Sequence, residues 1–117
     1  MNIYDIESFP KKFDAIFAQA VLLHIPKKNI IEVLTNLRNK LNPGGSLYIA
    51  VKGIREDGIE ESIAIENDYG FEYQRFFSYY SIDELKKYLT DLGMEVVWDR
   101  TNNPPKRAIW LQIIAKK

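Results

Sequence analysis

Residues 13–52 read FDAIFAQAVLLHIPKKNIIEVLTNLRNKLNPGGSLYIAVK, and this stretch decides the fold. Its first part, residues 13–25, is mostly apolar, so we expect a first strand that is buried on both faces. Apolar residues then recur every three or four positions, at Ile30, Leu34, Leu37 and Leu41. That spacing predicts an amphipathic helix. Residues 47–51 form an unbroken apolar run, typical of a central parallel strand. The stretch therefore predicts a βαβ unit.

The composition indicates one globular domain over residues 1–117, with 46% hydrophobic and 13% aromatic residues. Sixteen basic and 16 acidic residues balance, so we expect neither a nucleic-acid partner nor an anionic membrane. The chain has no cysteine and one histidine, which excludes disulfides and thiolate or histidine-rich metal sites. With no signal-peptide pattern and no apolar run of about 20 residues, we expect a cytoplasmic protein.

The second half of the chain predicts a long loop, a helix and a hairpin. Residues 53–74 are rich in acids and glycine, and Ile59, Ile63 and Ile65 are the basis for at most one short helix there. A capping box at Ser81 and Glu84 predicts the start of the next helix.

Gly93 ends that helix as a left-handed cap. Strands are then expected at 95–99 and 108–115. The polar turn 101–107 between them is too short for a helical crossover, so the two strands should pair antiparallel.

These segments, taken in order, resemble class I S-adenosylmethionine-dependent methyltransferases. FDAIFAQAVLLHI and LNPGGSLYIAVK are similar to the family's fourth strand and the turn into its fifth. Asp5-Ile6 before FPKKFDAI resembles the acidic motif after the third strand, and RFFSYYSIDELKKYLTDLGMEVV resembles the penultimate helix and sixth strand. The family's glycine-rich cofactor loop has no counterpart, so the chain resembles the C-terminal half of the domain. The resemblance implies an α/β fold: a partial Rossmann-like sheet of about four strands, closed by a terminal antiparallel hairpin, with helices mainly on one face.

The function that the resemblance implies is methyl transfer from S-adenosylmethionine, as cofactor, to an unknown small-molecule acceptor. Such a displacement depends mainly on alignment and desolvation of the reactants, so no catalytic residue is obligatory. Two alternatives stay open. The chain could be a non-catalytic dimerisation or interaction module, or a separate chain could supply the glycine-rich half.

Four residues are candidate cofactor contacts. The resemblance implies that Asp5 and Ile6 contact adenine, although Asp5 could equally be a solvated acid. Gln19 and Ala20 fall at the carboxyl end of the first strand, where ligands bind in open α/β sheets. The alternative for Gln19 is that it only caps a strand end.

The candidate catalytic and acceptor-binding residues follow the two predicted strands. His24 is the only histidine; it could act as a base near neutral pH, but a bracing structural role is favoured. The candidate acceptor contacts are Lys52, Arg75, Phe77 and Tyr80. Aromatic faces suit a sulfonium or a cationic acceptor, and the alternative is ordinary core packing.

The expected connections also leave part of the sheet uncovered. Right-handed crossovers place both helices on one face. In the last strand Leu111 and Ile113 alternate with Trp110 and Ile114, so both of its faces are apolar. A bare apolar face and a free strand edge favour association. We therefore expect a homo-oligomer through this face or edge, unless residues 53–74 fold over it.

Overall fold

The computed structural model describes residues 3–67, 70–105 and 107–117. The strands in this part are β1 Phe13–Gln19, β2 Leu41–Gly53, β3 Glu61–Glu66, β4 Tyr73–Tyr80, β5 Glu95–Asn102 and β6 Trp110–Lys116. The helices are α1 Lys27–Asn39 and α2 Ile82–Asp91, with short 3-10 helices at Ile3–Ser8 and Leu22–His24.

Strand β2 is the centre of the sheet. It pairs parallel with β1 and antiparallel with β6, and β6 pairs antiparallel with β5. Beyond the end of β1, Lys52 and Gly53 of β2 pair with the end of β4, which carries β3 in an antiparallel hairpin. The predicted α/β fold with its terminal antiparallel hairpin is confirmed. The described residues form six strands rather than about four, because residues 53–74 contribute to the sheet.

One face of the sheet carries the core. Leu47, Ile49 and Val51 of β2 have no exposed surface and share a single apolar cluster with residues of both α-helices. Alternate residues of a strand point to opposite faces, so α1 and α2 lie on the same side. In the described residues, the expectation that the helices cover one face is therefore confirmed.

Strand β1 corrects the expectation of a strand buried on both faces. Within it only Ala18 is buried, and Phe17 is 76% exposed. The reason is the face: Ala18 points to the helix side, whereas Phe17 points to the opposite face, on which no described helix packs. The apolar residues that follow it are not strand either. They form the helix Leu22–His24, which buries Leu22 and Leu23.

Strand β3 corrects the short helix expected around Ile59, Ile63 and Ile65. Ile63 and Ile65 lie two residues apart on one face of β3 and pair opposite Phe76 and Gln74 of β4. Their spacing has the period of a strand, not of a helix. The segment therefore adds an edge strand to the sheet next to β4. It does not cover the face opposite the helices.

The ends of α2 form as predicted. The Glu84 backbone N–H donates to Ser81 Oγ over 3.2 Å, which is one half of the capping box. Gly93 has a φ of +79°, the left-handed conformation that a side chain disfavours. These local signals are strong because the contacts that satisfy them lie within a few residues.

Candidate active site at the carboxyl ends of the first two strands

Gln19 and Ala20 lie together where β1 ends. Gln19 is exposed and pairs with Ala50 of β2, and the Ala20 backbone N–H donates to the Ala50 carbonyl over 3.1 Å. Ala20 has a φ of +55°, which costs a non-glycine residue about 1–2 kcal/mol. Backbone strain of this kind clusters at functional sites. The end of β1 is thus a candidate site on geometry as well as on sequence.

A cleft of about 310 Å³ opens beside Gln19 on the face opposite the helices. Its lining residues are Gln19, Ala50, Arg100, Asn102, Trp110 and Gln112. Amide and guanidinium groups supply the polar atoms, Trp110 supplies an aromatic wall, and none of the lining residues is acidic. Such a lining suits a polar ligand that accepts hydrogen bonds.

Lys52 and Phe77, both predicted acceptor contacts, meet next to this cleft. Lys52 Nζ lies 4.3 Å from the centroid of the Phe77 ring and 6.0 Å from that of Trp110. Phe77 is 6% exposed, and its ring is nearly parallel to that of Tyr79 at 6.4 Å. The lysine cation thus occupies the aromatic surface that the sequence suggested for a cationic ligand.

His24 contacts two residues of β4 next to this region. Its Nδ1 donates to the Phe76 carbonyl over 2.8 Å, and its ring packs against Phe77 at 4.9 Å. A carbonyl oxygen only accepts, so Nδ1 carries the hydrogen of this bond. These contacts are those expected of the structural role.

Arg75 and Tyr80 are not part of the cleft. Arg75 Nη1 bonds Glu66 at 3.2 Å on the β3–β4 hairpin. Tyr80 has no exposed surface and lies on the core face, where its hydroxyl accepts from Ser78 Oγ over 3.2 Å. Burial raises the pKa of Tyr80 to about 12. The expectation that Tyr80 lines an acceptor site is corrected, because strand alternation turns it away from Tyr79.

Asp5 and Ile6 have different surroundings from those of Gln19. Ile6 is 8% exposed and packs in the core cluster on the helix side of the sheet. Asp5 is exposed, and its carbonyl accepts from Ser8 Oγ over 2.8 Å. Ile6 therefore lies on the helix side of the sheet, whereas Gln19 lines the cleft on the opposite face.

Lys27 is a residue that the sequence reasoning missed. Its Nζ lies 3.0 Å from Glu60, 2.9 Å from Glu84 and 4.8 Å from the Tyr80 ring centroid, while its backbone N–H donates to Glu61 over 2.9 Å. Burial by itself lowers the pKa of Lys27, but the hydrogen bonds and charges of Glu84 and Glu60 outweigh it and the pKa is raised. The partners are 33 to 57 residues away in sequence, so no local pattern announces them.

The residues present fit only part of a site for S-adenosylmethionine. Gln19 and the strained turn at Ala20 offer contacts at one edge. Gly44 and Gly45 lie inside β2, near its amino end, and therefore far from Gln19. They do not form a loop between a strand and a helix, which is what a glycine-rich cofactor motif requires. The described residues thus contain no glycine-rich loop of that kind, and Gln19 and Ala20 stay candidate contacts.

Other ligand classes find little support in the described ranges. No group of three or more histidine, cysteine, aspartate or glutamate side chains comes together there as a metal site. In the same residues, no helix has the length and apolar character needed to cross a bilayer.

Comparison with known proteins identifies the family. Residues 1–98 match the family model described as "Methyltransferase domain". The chain belongs to this methyltransferase family. A tRNA U34 carboxymethyltransferase from Pseudoalteromonas atlantica is 29% identical over 94 residues, covering 79% of this chain and 28% of the relative.

Solved structures share the fold. A SAM-dependent methyltransferase from Methanosarcina mazei superposes with a TM-score of 0.77 at 20% identity, over 96% of this chain and 64% of that protein. The Burkholderia thailandensis 1,6-didemethyltoxoflavin-N1-methyltransferase, solved with S-adenosylhomocysteine, gives 0.70 at 17% identity, over 96% of this chain and 48% of that protein. The chain thus spans between about a quarter and two thirds of the relatives that it matches.

Proposed function

We propose that this chain forms the acceptor-side half of an S-adenosylmethionine-dependent methyltransferase. The observation that carries the proposal is the cleft at the ends of β1 and β2, where Gln19, the strained Ala20 and Lys52 lie in a chain of methyltransferase family and fold. In open α/β sheets this edge is where ligands bind. The rest of the cofactor-binding surface would come from polypeptide beyond these residues, in the same chain or in another.

The acceptor is proposed to be a small molecule. It would approach Lys52 and Phe77 from the side of Tyr79, where a small cavity of about 90 Å³ is lined by Arg55, Asp57, Ile59, Ser62 and Tyr79. One relative is named for tRNA. The net charge of zero argues against so large a polyanion here. Methyl transfer would then depend on how the cleft aligns and desolvates the acceptor.

Two further features belong to this proposal. A cytoplasmic location agrees with a cysteine-free chain, since thiol-free domains need no oxidising compartment. Arg75 is proposed only as an outer contact, because its guanidinium is engaged by Glu66 at 3.2 Å. Asp5 and Ile6 stay proposed as adenine contacts through the complete protein.

The test is a titration of S-adenosylhomocysteine into the 117-residue chain, followed by NMR amide shifts. We expect saturable shifts at residues 19–20 and 50 with a Kd of about 0.1–1 mM, since only part of the surface is present. Gln19→Ala should weaken binding about threefold or more, and Gln74→Ala, an exposed amide on the hairpin, should leave it unchanged. Absence of shifts at about 5 mM ligand would refute a cofactor contact in this chain.

The second candidate function is a non-catalytic interaction module. It is favoured by Phe17 and Trp98, which are 76% and 42% exposed on the sheet face that no described element covers. A chain that ignores S-adenosylhomocysteine but self-associates would support the module. A chain that binds the nucleoside and stays monomeric would support the methyltransferase half alone.

A further inference from the structure

Segment 54–60 joins β2 to β3 and forms one wall of the small cavity proposed above for the acceptor. The cavity is lined by five residues, the first three of which belong to this segment: Arg55, Asp57, Ile59, Ser62 and Tyr79. Residues 55–60 are all exposed, so little packing holds the segment in place. The cavity's volume of about 90 Å³ is also well below the roughly 300–1,000 Å³ of small-molecule sites. An acceptor therefore enters only if this wall moves.

Lys27 connects the end of this segment to the first turn of α1. Its Nζ lies 3.0 Å from Glu60, and its backbone N–H donates to the Glu61 carboxylate over 2.9 Å. Pro26, at the N-cap of α1, offers no side-chain hydrogen bond. Glu61 therefore satisfies one of the free N–H groups at the start of the helix. Both carboxylates lie at the positive end of the helix dipole, which favours them there.

The two ion pairs of Lys27 differ in their exposure to solvent. On the other side of Nζ, Glu84 of α2 lies at 2.9 Å and the centroid of the Tyr80 ring at 4.8 Å. The side chains of Lys27 and Glu84 are 15% and 22% exposed, whereas that of Glu60 is 60% exposed. An exposed ion pair contributes little stability, and a partly buried pair is screened less by solvent. The pair with Glu84 therefore fixes Lys27, and the pair with Glu60 is the one that breaks first.

We propose that segment 54–60 is a movable wall of the acceptor cavity and that the Lys27–Glu60 ion pair holds it closed. The Glu60 carbonyl accepts from the Tyr79 N–H over 2.8 Å, so movement of Glu60 is felt by a residue that lines the cavity. Lys27 does not line the cavity itself, and it is therefore a positioning residue. Only the identity of the cavity as the acceptor pocket rests on the proposed function.

Amide hydrogen exchange of the 117-residue chain measures this opening without cofactor or acceptor. Glu60→Gln should speed exchange at Ile59 and Tyr79 about two- to fivefold, the factor expected for the loss of an exposed ion pair. Exchange of the core amides of β2 should stay unchanged, because the pair with Glu84 is intact. Glu56→Gln, which neutralises an exposed carboxylate of the same segment, should change neither rate.

A second pair of variants shows whether Glu60 acts through Lys27. In a Lys27→Met background, Glu60→Gln should have no further effect on exchange at Tyr79, since a double-mutant cycle couples residues that act together. Lys28→Met, at the exposed lysine one position further on, is the matched control background. There the full effect of Glu60→Gln, about two- to fivefold, should persist.

Three results would overturn the proposal. Unchanged exchange at Tyr79 in Glu60→Gln would show that the ion pair does not hold the wall. An equal rise at the core amides of β2 would mean that the pair supports general stability only. A full effect of Glu60→Gln in the Lys27→Met background would exclude Lys27 as its partner. The comparison with Glu56→Gln decides the first two points even where Lys27→Met is too unstable to study. The titration of S-adenosylhomocysteine at residues 19–20 is independent of all three, so the proposed function and this inference can fail separately.

Discussion

The two faces of one sheet differ although the same strands build both. Leu47 and Tyr48 are neighbours in β2, yet Leu47 has no exposed surface and Tyr48 borders the open face. Both described α-helices pack on the Leu47 side, because each follows a parallel strand and crossovers turn the same way. Apolar residues on both faces of a strand therefore do not indicate which face another element covers. On the core face the covering elements are within the chain, and on the open face no described helix provides one.

The strongest test of this contrast uses two adjacent isoleucines of β6. Ile113 faces the helices with no exposed surface, and Ile114 lies on the opposite face, between Tyr48 and Trp98. Ile113→Ala should lower the free energy of unfolding by about 3–4 kcal/mol, since it removes core contacts and leaves a cavity. Ile114→Ala should cost less than about 1.5 kcal/mol. Urea unfolding measures both losses; equal losses would contradict a one-sided core.

The second test uses the buried hydroxyl on the core face. Burial is the main cause that raises the pKa of Tyr80 to about 12, so the folded state holds the phenol proton more tightly than the unfolded state. The associated stability is present below pH 10 and is lost as the pH rises from about 10 to about 12, about 2–3 kcal/mol in all. Tyr80→Phe should show a smaller fall over that interval in urea unfolding. An identical pH profile for both proteins would mean that the hydroxyl is hydrated.

The smallest effect concerns two alanines near the end of β1. Ala18 is 2% exposed on the core face, and Ala20 has a φ of +55°. Ala18→Gly should destabilise by about 1–2 kcal/mol through lost packing and added chain entropy. Ala20→Gly should be neutral or stabilise by up to about 1 kcal/mol, because relief of strain offsets the entropy. Thermal unfolding of the two variants compares them directly, and a loss at position 20 as large as at position 18 would show that Ala20 is not strained.

The methyltransferase resemblance was readable because its signals are local. The cap at Ser81 and the alternation in the last strand each depend on a few adjacent residues, and the structure has both in place. The expected turn at Gly44 and Gly45 is instead part of β2, which begins at Leu41. The β3 strand was missed for the opposite reason. Ile63 and Ile65 are 64% and 68% exposed. The outward side chains of β3 are therefore apolar, whereas a half-buried strand usually carries polar residues on its outer face.

The candidate site was predicted only in part. Gln19 and Ala20 could be placed from the rule that ligands bind at the carboxyl ends of parallel strands. The sequence could not show that Phe77 and Tyr80 point to opposite faces of β4. Both are aromatic, and only the strand alternation in the folded chain distinguishes them. Lys27 gave no signal at all, because Glu60 and Glu84 reach it only in the folded chain.

The sequence by itself determined the family, the βαβ unit, the capped second helix and the closing hairpin, because periodicity and turn chemistry are properties of neighbouring residues. Only the tertiary structure decided that β1 is an exposed edge, that residues 61–66 join the sheet, and that Trp98 and Ile114 share the open face. Those features depend on strand register and on which face each side chain takes. Register is set by pairing between distant segments, and a single sequence does not contain it in any local pattern.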